Sequence, residues 1–334
     1  MGNSDGGVLM DRFGRHVTYL RISVTDRCDF RCVYCMAEEM TFVPRKEILT
    51  LEEIALVCRA FVELGVNKIR LTGGEPLIRG NIQSLVSDLS QLPHLKELSL
   101  TSNGSQLSQL AKPLFQAGLN RINISLDTLK PEKFKEITRT GNLDKVLKGI
   151  ETAKKSGFHK LKLNSVILKG RNDDEILDLA EFAVKNGHDL TFIEEMPVGS
   201  IDEHERDKCF ISSEEIRARL SSVYKLSVSS ENSGGPARYY YAKGENSRFG
   251  FISPHSDNFC SSCNRVRVTA EGQLLLCLGN EHSIDLKSIV RRHPGDIEVL
   301  KKAVIEAMSI KPERHYFNHE EKPKIVRFMN ATGG

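Results

Sequence analysis

Between Tyr19 and Pro197 two hydrophobic patterns alternate along the chain. Short runs of aliphatic and β-branched residues have the length and composition of strands: Tyr19–Thr25, Lys68–Thr72, Lys96–Thr101, Arg121–Asp127, Leu161–Leu168 and Leu190–Glu195. Between them lie stretches with the apolar residues gathered on one helical face: Leu51–Leu64, Asn81–Leu92, Gln106–Ala117, Leu143–Ser156 and Asp173–Lys185. The first carries Ile54, Val57, Phe61 and Leu64 on that face, and Thr50 with Glu53 makes a capping box at its start. Gly65, Gly118, Gly157 and Gly187 close helical stretches as C′ residues expected in the left-handed conformation. Strand–helix units in series predict a parallel sheet with helices outside it, and six is fewer than the eight of a closed barrel. The expected fold is therefore α/β, an incomplete TIM-type (βα)6 barrel.

Working residues in such folds sit at the C-terminal ends of the strands. Here those ends are polar: Thr72-Gly73-Gly74-Glu75, Thr101-Ser102-Asn103-Gly104, Ser125-Leu126-Asp127 and Glu194-Glu195-Met196-Pro197. One polar strand end is what any turn shows; four in series predict a lined mouth. After Val198 the alternation fades. Gly199–Asp207 reads as loop, Ser212–Leu220 as a capped helix and Glu298–Ala307 as a helix. Phe249–Ser253 and Arg265–Thr269 read as strands, and Glu271-Gly272 turns the second into Gln273–Leu278 as a hairpin. Ser227–Ala237 carries the weakest order signal, and the basic tail Lys311–Gly334 has no pattern. The organisation expected is an N-terminal extension over 1–18, a partial barrel over 19–200 and a C-terminal region over 201–334.

Composition excludes some classes. With 334 residues, 40% hydrophobic and 27% charged, the chain can bury a large core and is neither disordered nor fibrous. A net charge of +3 argues against a nucleic-acid or membrane partner. No apolar run approaches the roughly 18 residues of a membrane span, and Met1–Asp11 lacks a signal-peptide core, so a cytoplasmic protein is expected. In that compartment the 8 cysteines read as ligands, nucleophiles or core residues before disulfides.

The cysteines are grouped. Cys28, Cys32 and Cys35 form Cys-x3-Cys-x2-Cys directly after the first strand. Three thiolates there can hold three irons of a [4Fe–4S] cluster and leave the fourth open; a three-cysteine zinc site is the alternative. Cys260, Cys263 and Cys277 form a second triplet. It suits zinc, with His255 or His282 as a fourth ligand, as well as it suits an iron–sulfur cluster. Arg265 and Arg267 alternate along the strand between these ligands, so both face one way and suggest an anion site, where a solvated strand face is the plainer reading. Arg21, Arg70 and Lys162 lie on apolar strands, where a cation needs an anion; internal pairs with Glu75, Asp127 or Glu194 would also serve. Cys58 and Cys209 read as structural.

The first triplet, with Tyr34 before its last cysteine and Gly73-Gly74-Glu75-Pro76 one βα unit on, resembles the signature of the radical S-adenosylmethionine enzymes. The resemblance implies that the open iron of the first cluster chelates S-adenosylmethionine, whose reductive cleavage yields a 5′-deoxyadenosyl radical. Both triplets together are similar to the branch of that family that cyclises GTP in the first step of molybdenum cofactor biosynthesis. Asp26-Arg27, Arg70-Leu71-Thr72, Asn123-Ile124-Ser125-Leu126-Asp127, Cys263-Asn264-Arg265-Val266-Arg267 and the terminal Gly333-Gly334 extend that similarity over nearly the whole chain. Departures such as Ala37 and Gly279, where relatives often have Pro and Phe, touch no ligand.

This resemblance implies two [4Fe–4S] clusters, the second carried by the C-terminal segment and meeting guanine through its open iron. It implies S-adenosylmethionine contacts at Tyr34, Gly73, Gly74, Glu75, Ser125 and Met196. GTP contacts follow at Arg21, Arg70, Thr101, Lys162, Arg265 and Arg267. The radical takes hydrogen from C3′ of GTP, the ribose attacks C8, and (8S)-3′,8-cyclo-7,8-dihydroguanosine 5′-triphosphate results. No side chain is assigned as general acid or base. Implied partners are a cyclic pyranopterin monophosphate synthase downstream and an electron donor such as flavodoxin or ferredoxin, and a homodimer is allowed. The double glycine is expected to reach the active site. Two rivals remain: a radical enzyme with an auxiliary cluster acting on a peptide, and a zinc-stabilised scaffold without activity.

Overall fold

The computed structural model describes residues 8–199, 201, 204–230, 234–317 and 325–333. Met1–Gly7, part of the Ser227–Ala237 stretch and Gly334 lie outside the described residues. Six parallel strands form the centre: β1 (Tyr19–Ser23), β2 (Lys68–Thr72), β3 (Glu97–Ser102), β4 (Arg121–Ser125), β5 (Lys162–Val166) and β6 (Asp189–Ile193). Each corresponds to a strand expected from the hydrophobic pattern. The C-terminal part adds β7 (Leu226–Val228), β8 (Arg238–Ala242), β9 (Arg248–Ile252), β10 (Arg265–Val268), β11 (Gln273–Leu275) and β12 (Ser283–Asp285). All belong to one sheet in the order β12-β11-β10-β1-β2-β3-β4-β5-β6-β9-β8-β7.

The partial barrel is thus extended at both edges. β10 runs parallel to β1 and β9 runs parallel to β6, so eight strands run in parallel before the sheet ends in antiparallel pairs. The expected hairpin is the β10–β11 pair.

Helices α1 (Leu51–Glu63), α2 (Ile82–Ser90), α3 (Leu107–Gln116), α4 (Pro131–Thr138), α5 (Leu143–Lys155) and α6 (Ile176–Asn186) connect the central strands. The capping box at α1 is present, Thr50 and Glu53 each bonding the other's backbone N–H. The four glycines expected to be left-handed all have positive φ. Helix α4 is a correction to the sequence reading, which placed only one helix between β4 and β5: its short stripe of Phe134, Ile137 and Thr138 is too brief to stand out as a period. Among the described residues of the tail is a short helix, Met329–Thr332, which the sequence pattern did not show.

Alternation along the central strands sorts their side chains. Leu20, Ile22, Ile69, Leu71, Leu100, Ile122, Ile124 and Leu163 are buried in the apolar core that the helices also enter. The residues between them, including Arg21, Arg70, Thr101, Asn123 and Lys162, line an internal cavity. The polar face of this sheet is therefore the concave one.

Candidate functional site

The cysteine loop follows β1 and is clamped from two sides. On one side the end of β2 presses against it: Gly74 N–H donates to Thr25 O at 2.8 Å and Glu75 N–H to Arg27 O at 2.7 Å. A Cβ on Gly73 would lie 2.5 Å from Thr25 O, and one on Gly74 would overlap the Arg27 carbonyl. The two glycines, which also line the cavity, thus let the backbone of β2 reach the cysteine loop. On the other side, Arg31 N–H and Val33 N–H each donate at 2.9 Å to the carbonyls of Thr138 and Ile137 at the end of α4. Phe30 packs edge-on against Phe134 with ring centres 5.8 Å apart.

Glu75 sits behind the cavity wall rather than on it. Its Oε1 accepts from Leu77 N–H and Ser102 Oγ, both at 2.9 Å, and its Oε2 from Asn103 N–H at 2.6 Å. Burial pushes its carboxyl up to about 8 against those donors. Its geometry positions the Ser102–Asn103 turn, from which Asn103 Nδ2 reaches Asp29 Oδ1 at 2.7 Å and Cys28 Sγ at 3.7 Å. Tyr34, Ser125 and Met196 line the cavity, and Tyr34 OH donates to Asp127 at 2.7 Å.

Burial raises all three thiols of the first triplet, Cys35 up to about 12, and the neighbouring Cys35 disfavours the thiolates of Cys28 and Cys32 further. A metal centre reverses that balance, because coordinated thiols deprotonate. Among the described residues no three His, Cys, Asp or Glu side chains converge as a single-ion site requires. Thiols that each bind a different iron of one cluster need not converge so closely, so the donor set fits a cluster.

The second triplet lines the same cavity. Burial opposes ionisation of Cys263, but Arg265, with Nη2 4.0 Å from its sulfur, and Lys311, with Nζ also at 4.0 Å, outweigh it and hold the thiol below its ordinary value. Burial keeps Cys260 and Cys277 raised. The histidine beside this triplet is neither of those the sequence offered. His255 Nε2 bonds the Glu195 carbonyl at 2.8 Å and His282 is exposed, whereas His315 Nδ1 lies 3.0 Å from Cys260 Sγ. His315 lies in the tail that showed no pattern, so spacing gave no signal for it.

The remaining candidates meet in that cavity too: Arg21, Arg70, Thr101, Lys162, Arg265 and Arg267 all line it. Arg267 on β10 is level with Arg21 on β1, and Arg21 with Arg70 on β2. Arg70 Nε donates to Ser99 Oγ at 3.3 Å and Lys162 Nζ to Tyr239 OH at 2.8 Å. The carboxylates offered as internal partners are engaged by neutral donors. Asp127 accepts from Tyr34 and Val166, and Glu194 from Ser213, His255 and Ser256. Sequence reasoning missed Tyr19, Lys68, Asn123, Asn164 and Tyr239 on the wall. For Asn123 and Asn164 the signal was there, a polar residue at the same two-residue period as Arg121 and Lys162.

The C-terminal helix enters the same mouth. Met329 lines the cavity, Asn330 Nδ2 donates to Asp26 O at 2.8 Å, and Arg267 donates to the carbonyl of Gly333.

A parallel βα barrel with three cysteines after its first strand and a Gly-Gly-Glu-Pro clamp after its second defines a radical S-adenosylmethionine enzyme, which works with S-adenosylmethionine and an iron–sulfur cluster. Residues 22–183 match the Radical SAM superfamily and residues 188–317 match Molybdenum Cofactor Synthesis C. The chain belongs to the GTP 3′,8-cyclase family: it is 60% identical over 326 residues to GTP 3′,8-cyclase of Saccharophagus degradans, with 98% of each chain covered. It is 59% identical over 327 residues to GTP 3′,8-cyclase of Pseudomonas putida, again with 98% of each covered. Among solved structures, SuiB of Streptococcus suis bound to S-adenosylmethionine aligns with a TM-score of 0.59 at 16% identity, over 85% of this chain and 66% of that one, a likeness of fold.

Proposed function

We infer that this protein cyclises GTP to (8S)-3′,8-cyclo-7,8-dihydroguanosine 5′-triphosphate, the first step toward the molybdenum cofactor. We also infer that its two cysteine triplets hold two [4Fe–4S] clusters. The observation that carries this reading is that all six clustered cysteines and six candidate nucleotide-binding residues line one cavity. Cys28, Cys32 and Cys35 would hold the first cluster, and Tyr34, Gly73, Gly74, Ser125 and Met196 would contact S-adenosylmethionine. Once loaded, that centre supplies the one-electron reduction that generates the deoxyadenosyl radical for the C3′ hydrogen of GTP. Cys260, Cys263 and Cys277 would hold the second cluster toward guanine.

The chain's own task is positioning and exclusion of water. The row Arg267, Arg21 and Arg70 takes the triphosphate, since guanidinium forks suit phosphate oxygens. Lys162, Thr101 and Arg265 complete the nucleotide contacts, and Glu75 fixes the Ser102–Asn103 turn that touches Cys28. Residues 19–200 act as the radical-generating unit, with 1–18 as an extension, and 201–334 complete the mouth with the second triplet and the glycine tail. The product passes to a cyclic pyranopterin monophosphate synthase, and the electron comes from a donor such as flavodoxin or ferredoxin. A cytoplasmic site of action suits both; among the described residues no helix is long and apolar enough to cross a membrane.

Anaerobic reconstitution tests the reading. About eight irons with matching acid-labile sulfide per chain are expected, together with 5′-deoxyadenosine formation that depends on GTP. About two zinc ions and no sulfide, or deoxyadenosine formation indifferent to GTP, would overturn it.

A further inference from the structure

Asn123, at the middle of β4, has no part in the function described so far. It is fully buried, it lines the cavity, and neither its Nδ2 nor its Oδ1 has a hydrogen-bond partner. Its register neighbours are Thr101 on β3 and Lys162 on β5. The hydroxyl of Thr101 is likewise buried and without a partner. A buried carboxamide with both ends unmade is costly, and such groups persist where a ligand completes them.

The chemistry of these groups narrows the ligand. A carboxamide sets a donor nitrogen and an acceptor oxygen side by side. Phosphate oxygens only accept, and the cations already serve them. Two vicinal hydroxyls, by contrast, give a donor to Oδ1 and an acceptor to Nδ2 at once. Position agrees with chemistry. Along β4 the cavity-facing residues are Arg121, Asn123 and Ser125, so Asn123 stands between a cation and the residue expected at S-adenosylmethionine. The sugar that loses hydrogen must lie at that level, with phosphates to one side and the radical source to the other.

We propose that the Asn123 carboxamide, with the Thr101 hydroxyl beside it, binds the 2′,3′-diol of the nucleotide ribose and makes the site selective for ribonucleotides. The proposal rests on GTP being the substrate. Its test is equilibrium binding of GTP, 2′-deoxyGTP and inorganic triphosphate to the full chain, reconstituted anaerobically, as wild type, Asn123→Leu and Asn123→Ala. Wild type is expected to favour GTP over 2′-deoxyGTP by roughly tenfold to a hundredfold, the loss that follows when a buried polar group is left unpaired. In Asn123→Leu the two nucleotides should bind within about threefold of each other, near the wild-type affinity for 2′-deoxyGTP, with triphosphate unchanged. Equal weakening of GTP and 2′-deoxyGTP in the variants, or no discrimination by wild type, overturns the proposal alone. The wild-type comparison needs no variant, so a poorly folding substitution does not hide that result. A wild-type protein that binds GTP no better than triphosphate overturns the substrate reading itself.

Discussion

Arg21 on β1 and Arg267 on β10 are direct register partners on neighbouring parallel strands, and both face the cavity. Arg70 stands on the other side of Arg21 in the same row. Burial, then Arg267, holds the Arg21 guanidinium well below its ordinary range, while burial, then Arg265, brings Arg267 down to about 10. Three adjacent strands thus present like charges side by side, an arrangement that costs stability until a polyanion arrives.

Replacing one of these charges should therefore stabilise the empty protein and disable the loaded one. Arg21→Met is expected to raise the melting temperature without nucleotide by about 1–3 °C, from roughly 0.2–1 kcal/mol of relieved repulsion. The upward shift that millimolar GTP gives the wild type should disappear. Thermal scans with and without GTP decide it. A variant that melts lower and keeps its GTP shift would contradict the assignment of this row.

Gly333 has φ +77°, and a Cβ there would overlap the Thr72 hydroxyl at the end of β2. Its carbonyl accepts from Arg267. No other residue fits without moving the tail out of the mouth. Gly333→Ala, and deletion of Gly333 with Gly334, should lower GTP cyclisation at least tenfold, on the order of a lost positioning contact, while iron content stays unchanged. Unaltered turnover would show that the tail is only a frayed end.

How far these features were legible in the sequence depended on whether they repeat. The six central strands and most helices followed from hydrophobic periods because one face of each is apolar: Ile22, Leu71 and Ile124 alternate with Arg21, Arg70 and Asn123. The cysteine groups were legible from spacing. Helix α4 was not, although it clamps the cysteine loop, because its apolar stripe spans only Phe134 to Thr138. His315 and Lys311 approach the second triplet from a tail whose placement is a tertiary matter, fixed partly by Arg15 donating to the carbonyls of Cys260, Pro312 and Glu313. Gly73 and Gly74 were expected only as contacts to S-adenosylmethionine. Their closest neighbour is the cysteine loop itself.

His188, at the entry to β6, is 1% exposed, and burial with the nearby Lys154 holds it down at about 4 from an ordinary 6.5. The unfolded chain therefore binds the proton more readily than the folded one. The stability this residue supports is present above pH 6.5 and is lost as pH falls through about 4. Melting temperatures measured from pH 7 down to pH 4 should fall less steeply in His188→Asn than in the wild type. Parallel profiles would mean that His188 does not contribute to the acid response.

Gly74 offers the most direct separation of the two cysteine triplets. Its N–H donates to Thr25 O and the next residue's N–H to Arg27 O, both on the segment leading into Cys28. A methyl group at Gly74 would overlap the Arg27 carbonyl and crowd that of Asp26 at 2.7 Å, so Gly74→Ala must push the cysteine loop away from β2. The second triplet flanks the β10–β11 hairpin, Cys260 and Cys263 before it and Cys277 after it, and is held by Arg15, Lys311 and His315, none of which touches Gly74. The expected result is a loss of about four irons per chain, with a single remaining cluster signal by electron paramagnetic resonance and with GTP binding retained. Loss of both signals would mean that the two halves of the sheet depend on each other for folding. Retention of both would show that the cysteine loop tolerates displacement from β2 and that the clamp described here is dispensable.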